Sequence, residues 1–154
     1  MTEHIVQTLM GAIGAVGFAI LFNVQGRRLI LFFLGGALDW AVYLLCVNNG
    51  CSSFLGLLFA TITAALTSEI LARIIHAPVL ILLVPMLIPL VPGGDLYRSM
   101  DALVRGYREV FLVRGTSAIT SAGAICLGII CVTAITHVIM VIGEHIRKYQ
   151  QKTQ

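Results

Sequence analysis

Ala118-Ile-Thr-Ser-Ala-Gly-Ala-Ile-Cys-Leu-Gly-Ile-Ile-Cys-Val-Thr-Ala-Ile-Thr-His-Val-Ile-Met-Val-Ile-Gly143 contains no Asp, Glu, Lys or Arg. A bilayer core about 30 Å thick is crossed by about 20 apolar residues in a helix, and this run is longer than that. It passes directly into a basic tail, residues 144–154. Three more stretches of span length lie before it. Ile5–Val24 carries only Gln7, Thr8 and Asn23 as polar residues. Leu29–Val47 follows the basic turn Gln25-Gly-Arg-Arg28 and contains one acid, Asp39. Cys51–Ala72 follows the turn Asn48-Asn-Gly50 and contains Glu69 near its end.

Composition agrees with this reading. Of 154 residues, 58% are hydrophobic and 11% charged, against roughly 45–50% and about 25% in soluble domains. Mean hydropathy is +0.97. Seventeen charged residues are too few to coat a water-soluble globule, so a soluble enzyme, a disordered chain and a nucleic-acid reader are excluded. The length suits one domain. No Lys or Arg precedes the first apolar run and no A-x-A site follows it, so that run is expected to remain as a helix. Cys46, Cys51, Cys126 and Cys131 fall in or beside apolar runs without metal-ligand spacing. They read as small packing residues, with Cys46 and Cys51 flanking one short loop.

Between the third and last spans lies Pro78-Val-Leu-Ile-Leu-Leu-Val-Pro-Met-Leu-Ile-Pro-Leu-Val-Pro92, which holds all four prolines of the chain. Proline removes an N–H and clashes with the carbonyl four residues back, so a continuous helix here is expected to kink or break. Backbone freed at membrane depth is tolerated only inside protein or beside a wet cavity. The segment is therefore expected to be buried, either crossing or re-entering. Gly93-Gly94 ends it. Residues 95–115 place Leu96, Met100, Leu103, Val104, Tyr107, Val110 and Phe111 at helical spacing among four arginines, the pattern of an amphipathic helix or helix pair. The fold class expected is an all-α integral membrane protein: one transmembrane domain of about five helices, one proline-broken, plus the amphipathic segment. With five crossings, one side carries Arg27, Arg28, Arg73, Arg147, Lys148 and Lys152, and the other Arg98, Arg105, Arg108 and Arg114. That is a weak majority for a cytoplasmic first side.

Small residues stand at every fourth position in the third span (Gly56, Ala60, Ala64, Ser68, Ala72) and in the first (Gly11, Ala15, Ala19). Such rows let helix backbones approach closely. They are expected to pack the bundle and to leave surface for a partner or a homo-oligomer.

The order Gly17-Phe-Ala-Ile-Leu-Phe-Asn-Val24, Gly35-Gly-Ala-Leu38 with Trp40 and Tyr43, Ser68-Glu-Ile-Leu-Ala-Arg73, then Val84-Pro-Met-Leu-Ile-Pro-Leu-Val-Pro-Gly-Gly94 with Tyr97 and Met100 resembles the threonine/serine exporter family. It is similar in particular to a separate small subunit matching the C-terminal half of full-length members. The resemblance implies a multi-pass secondary transporter of a prokaryotic plasma (inner) membrane that exports small hydroxy amino acids, threonine or serine, on the proton motive force. It also implies a larger partner subunit with its own membrane helices and a soluble N-terminal region. Some split pairs are associated with export of dicarboxylates such as succinate, so the substrate stays open between the two. Asp39 stands where the family pattern implies a small residue, and Asp95 at a variable position.

Two sets of site residues follow. Asp39 lies mid-span, where an acid is costly unless solvated, paired or protonated; it either carries protons during transport or fixes helix packing. Glu69 and Arg73 have the favourable order for an i,i+4 pair and either anchor the helix end or take part in gating and proton coupling. Pro92, Gly93, Gly94, Asp95 and Tyr97 form a helix break that offers free amides to a substrate carboxylate, with Asp95 as helix cap or ammonium partner; otherwise the turn merely closes the bundle. His137, with Thr133 and Thr136 near it, reads as a packed histidine or a relay. Phosphate-loop, nucleophile-elbow and metal-ligand patterns are missing, so no catalytic residue and no cofactor is expected. A membrane scaffold for a partner protein is the reading from another class.

Overall fold

The computed structural model describes residues 2–152, with side chains described as far as residue 142. Six helices and no strand occur among these: α1 Thr2–Leu21, α2 Leu29–Asn48, α3 Ser53–Ile75, α4 Val79–Leu87, α5 Gly93–Val104 and α6 Arg108–Lys152. Four stretches are long and apolar enough to cross a membrane: Thr2–Leu21, Gly26–Asn48, Ser53–Ile75 and Arg108–Ile142. The protein is an all-helical, multi-pass membrane protein.

The breaks follow from local chemistry. The chain leaves α1 through Asn23 at φ 61° and leaves α3 through His76 at φ 53°. Each is a left-handed cap, in which Val24 N–H donates to the Ala19 carbonyl and Ala77 N–H to the Ala72 carbonyl. A 3₁₀ turn, Gly26–Arg28, leads straight into α2. Ser52 caps α3 by accepting the Leu55 N–H at 3.4 Å. Pro85 sits inside α4 and offers no N–H to the Ile81 carbonyl. By Pro89 the helix has tightened to a 3₁₀ turn, Ile88–Leu90, and Val91 is extended. The axis then bends by 57° into α5. The proline run was expected to be buried throughout, and one face of it is: Leu82, Leu83, Pro85, Met86, Leu87 and Leu90 are buried, while Leu80, Ile81 and Val91 are exposed, because a helix packed against the bundle on one side leaves its other side outside.

The path of the broken pair follows from its neighbours. Gly128 of α6 lies against Thr61 and the Leu58 carbonyl of α3, and Thr136 reaches Glu69 with the same offset, 67 residues. Helices α3 and α6 are therefore parallel. Since α3 ends at one face and α6 begins at the other, residues between them must carry the chain across. Helix α5 runs antiparallel to α6, with Asp95 at Arg114 and Ser117 and Ser99 at Phe111, and so continues the direction of α4. Taken as one span, the bent pair brings the number of candidate crossings to five.

Two expectations change. The last span was placed at 118–143 and the amphipathic segment at 95–115. The amphipathic segment is a helix pair divided at Gly106, φ +78°, but its second half is not separate from the last span: it is the first turns of α6, because nothing between Arg108 and Ala118 breaks the helix. The basic tail continues α6 to Lys152, with side chains outside the described residues. The small-residue rows do not remain as free surface. Gly56, Ala60, Ala64, Ser68 and Ala72 are all buried, as are Gly11, Ala15 and Ala19. A Cβ on Gly36 would stand 2.6 Å from the Ala15 Cβ and 3.2 Å from the Gly11 carbonyl, so the α1–α2 contact uses up its row within the chain. What remains outside is large and apolar, as a lipid-facing surface should be: Ile5, Leu34, Ile70, Leu80, Ile119 and Ile130 are all exposed.

Candidate functional site

Asp39 is the acid buried in the middle of the bundle. It lies on the face of α2 that also buries Phe32, Gly35 and Gly36, and α2 is packed on α1, α3, α4 and the 3₁₀ turn after α4. Its side chain is 1% exposed, and neither carboxyl oxygen has a hydrogen-bond partner. The adjacent Trp40 Nε1–H is also unpartnered. One turn back, Gly35 lies against Met86, whose Sδ would be 2.7 Å from a Cβ there. Met86 also accepts the Ser68 hydroxyl at 3.5 Å. Glycine on α2 and serine on α3 thus leave room for a flexible thioether from the broken helix at the core, next to the orphaned acid. Methionine is the side chain best able to re-pack in such a place.

Below this column, at the end where α1 meets α2 and α3 meets α4, is a cavity of about 560 Å³. Its floor is Phe32 and Leu82, each 1% exposed, and its rim holds Asn23, Gln25, Arg28 and His76.

Glu69, 16% exposed, pairs with Arg73 at 3.6 Å, and the Thr136 hydroxyl of α6 lies 3.5 Å from its other oxygen. Asp95 does not cap α5, which has no side-chain cap. Its carboxylate is taken by Arg114 at 3.0 Å and by the Ser117 hydroxyl at 2.7 Å, because α5 docks on the first turns of α6. Gly93, Gly94 and Tyr97 are exposed, and a Cβ on either glycine would meet nothing within 4 Å. The turn was expected inside the bundle, beside a polar cavity. It stands instead at the surface of this chain, because α5 packs outward onto α6 and not back over α1 and α2.

A family model described as "Threonine/Serine exporter, ThrE" matches residues 7–135. The chain belongs to the threonine/serine exporter family. The match runs from α1 through most of α6 and contains Asp39, Glu69, Arg73 and the Pro92–Tyr97 turn. No solved structure matches the chain.

In this exporter-family chain the expected site residues thus lie in three places: the core at Asp39, the α3–α6 seam at Glu69 and Arg73, and the α5–α6 seam at Asp95. Among the described residues no three metal-ligating side chains come together. The cavity and its rim were missed by reasoning from sequence. Their signal was present: a polar residue ends an apolar span before a basic turn at Asn23, and another does so before a proline at His76.

Proposed function

We propose that this chain is one membrane subunit of a secondary exporter of threonine and serine in a prokaryotic plasma membrane, that it works with a larger partner subunit, and that it couples export to protons through Asp39. The observation that carries this is the unpartnered acid in the middle of α2, beside a helix broken by three prolines. A membrane scaffold has no use for such an acid, since leaving it unpaired costs several kcal/mol. A transporter does: the acid exchanges its proton with solvent when the broken helix moves and water reaches it. Discontinuous helices are where transporters of other folds bind substrate and ions. Glu69 and Arg73 take the gating position, tying α3 to α6 at the end where the cavity opens. The surface turn Pro92–Tyr97 is the part of the substrate path that the partner closes. The protein acts by moving its substrate and not by chemical conversion of it.

The test is reconstitution in liposomes of this chain alone and with the larger subunit, with an imposed pH gradient and either threonine or succinate as substrate. Threonine flux is expected from the pair and not from the single chain. Asp39→Asn should leave insertion and pairing intact and remove the response of flux to the gradient. Flux that ignores the gradient in the unmodified pair overturns proton coupling, and flux of succinate alone overturns the hydroxy-amino-acid reading.

A further inference from the structure

The geometry points to the cavity at the Arg28–His76 end as the loading site of the transporter, where the carboxylate of the substrate is held before it passes Phe32 and Leu82. This rests on the exporter reading above and adds a place and a chemistry to it.

Four observations converge there. The cavity, about 560 Å³, falls in the range of about 300–1,000 Å³ that small-molecule sites occupy. Arg28 lines it and has no carboxylate partner among the described residues. Asn23 and His76 are the two non-glycine residues at positive φ among those described, and both line this cavity. Glycine takes that conformation without penalty; here an asparagine and a histidine on two different loops line one space, with the Asn23 Oδ1 accepting from the Gln25 side-chain amide at 3.2 Å. Finally, the helical stretch beginning at Gly26 and helix α4 both start at the rim, and neither has a side-chain cap. Their free N–H groups face the rim beside Arg28, where the C-terminal ends of α1 and α3 also lie and offset the helix dipoles. A cationic side chain, two polar side chains and uncapped amides above an apolar floor suit a small carboxylate with a short apolar remainder.

The location fits the direction of transport. Five crossings put Arg27, Arg28, Arg73 and the basic tail at one face, six Lys and Arg against four at the other, and the proposed loading site places that face in the cytoplasm. An exporter loads there. From the floor, Leu82 leads one turn along α4 to Met86, and Phe32 leads two turns along α2 to Asp39, so the cavity and the orphaned acid lie on one line through the bundle.

The experiment measures equilibrium binding to the purified full chain in lipid nanodiscs, using L-threonine, L-threoninol (which lacks the carboxylate) and succinate. Arg28→Gln is expected to weaken threonine binding about 10-fold or more, the effect of losing one charge-assisted contact. Arg27→Gln, one residue away and not lining the cavity, should change it less than 2-fold. Asn23→Gly and His76→Gly relieve the left-handed caps, so they should weaken binding while the thermal midpoint holds or rises, a combination that misfolding cannot produce. Threoninol should bind the unmodified chain poorly and be indifferent to Arg28→Gln. Succinate bound in preference to threonine, with the same dependence on Arg28, supports the site and overturns the hydroxy-amino-acid reading. Threonine bound with no dependence on Arg28, threoninol bound as well as threonine, or no binding of any of the three each overturn the site. The first of these leaves the exporter reading standing.

Discussion

Replacing Asp39 with alanine should make the protein more stable and leave it unable to couple. Both carboxyl oxygens are buried without partners, and an unsatisfied buried polar group costs about 1–3 kcal/mol. Asp39→Ala removes both oxygens and keeps the Cβ. Against this stands the hole left by one carboxyl group, about 30 Å³. At about 24 cal/mol per Å³ it costs about 0.7 kcal/mol. The net gain is about 0.3–2.3 kcal/mol, or an apparent Tm higher by about 1–7 °C at roughly 3 °C per kcal/mol. Thermal unfolding in detergent, followed by the fluorescence of Trp40, measures it, and gradient-driven threonine flux in the reconstituted pair measures the other half. A stability gain with lost coupling is the signature of a group kept for function at the expense of the fold. Loss of more than about 1 kcal/mol on Asp39→Ala would refute the reasoning, because it would mean that the carboxyl has a structural partner in the membrane.

Gly36→Ala forces a Cβ to within 2.6 Å of Ala15 and 3.3 Å of the Ala12 backbone and should cost about 1–3 kcal/mol in a detergent melt. Gly17→Ala, with nothing within 4 Å, should be neutral or gain up to about 1 kcal/mol in helix propensity. Glu69→Gln should lower yield by weakening the α3–α6 tie without changing the pH dependence of flux; a changed pH profile at normal expression would make Glu69 the coupling group instead. Cysteines placed at Ala77 and at Gly106, in a chain cleared of its four native ones, should react with a membrane-impermeant thiol reagent from opposite sides of the bilayer. Labelling from the same side would show that α4 and α5 re-enter.

Much of the fold was legible because membrane helices announce themselves by length and composition. The runs at Ile5–Val24, Leu29–Val47 and Cys51–Ala72 each lie within a few residues of the helix found, and the misplaced edges have local causes. Asn23 ends α1 early by taking a left-handed cap, which apolarity does not register. The start of α6 at Arg108 was hidden because Arg108, Glu109 and Arg114 look like a boundary by charge, while the backbone turns at Gly106 and is helical from Arg108 on. The small-residue rows were read correctly as packing surface and wrongly as surplus. A sequence gives the periodicity of such a row but not which neighbour it meets, and Gly36 packs on Ala15 while Tyr43 and Val47 pack on Gly56.

The site was less legible, for a reason that the two loops at the Arg28 end make plain. Sequence reasoning weighs a residue by its type, and Asn23 and His76 are unremarkable types at the ends of apolar runs. What sets them apart is a backbone angle. Each occupies a cap position that glycine fills without strain and that no β-branched or bulky residue fills well. Each also sits on a different loop, about 50 residues from the other along the chain, at one rim. The prolines drew attention to the far end of the broken helix, at Pro92–Asp95, because that is where the helical ladder visibly fails. Yet a helix has two ends, and the end of α4 that begins at Pro78 is the one with uncapped amides facing a cavity and a cation. Asp95, the acid nearest the other end, is already held by Arg114 and Ser117 and so has no free oxygen to spare for an ammonium group without giving up one of them. A substrate that carries both charges would then meet its carboxylate partner first, at Arg28, and find in Asp39 the one acid of the bundle that is sealed, unpaired and on the same line.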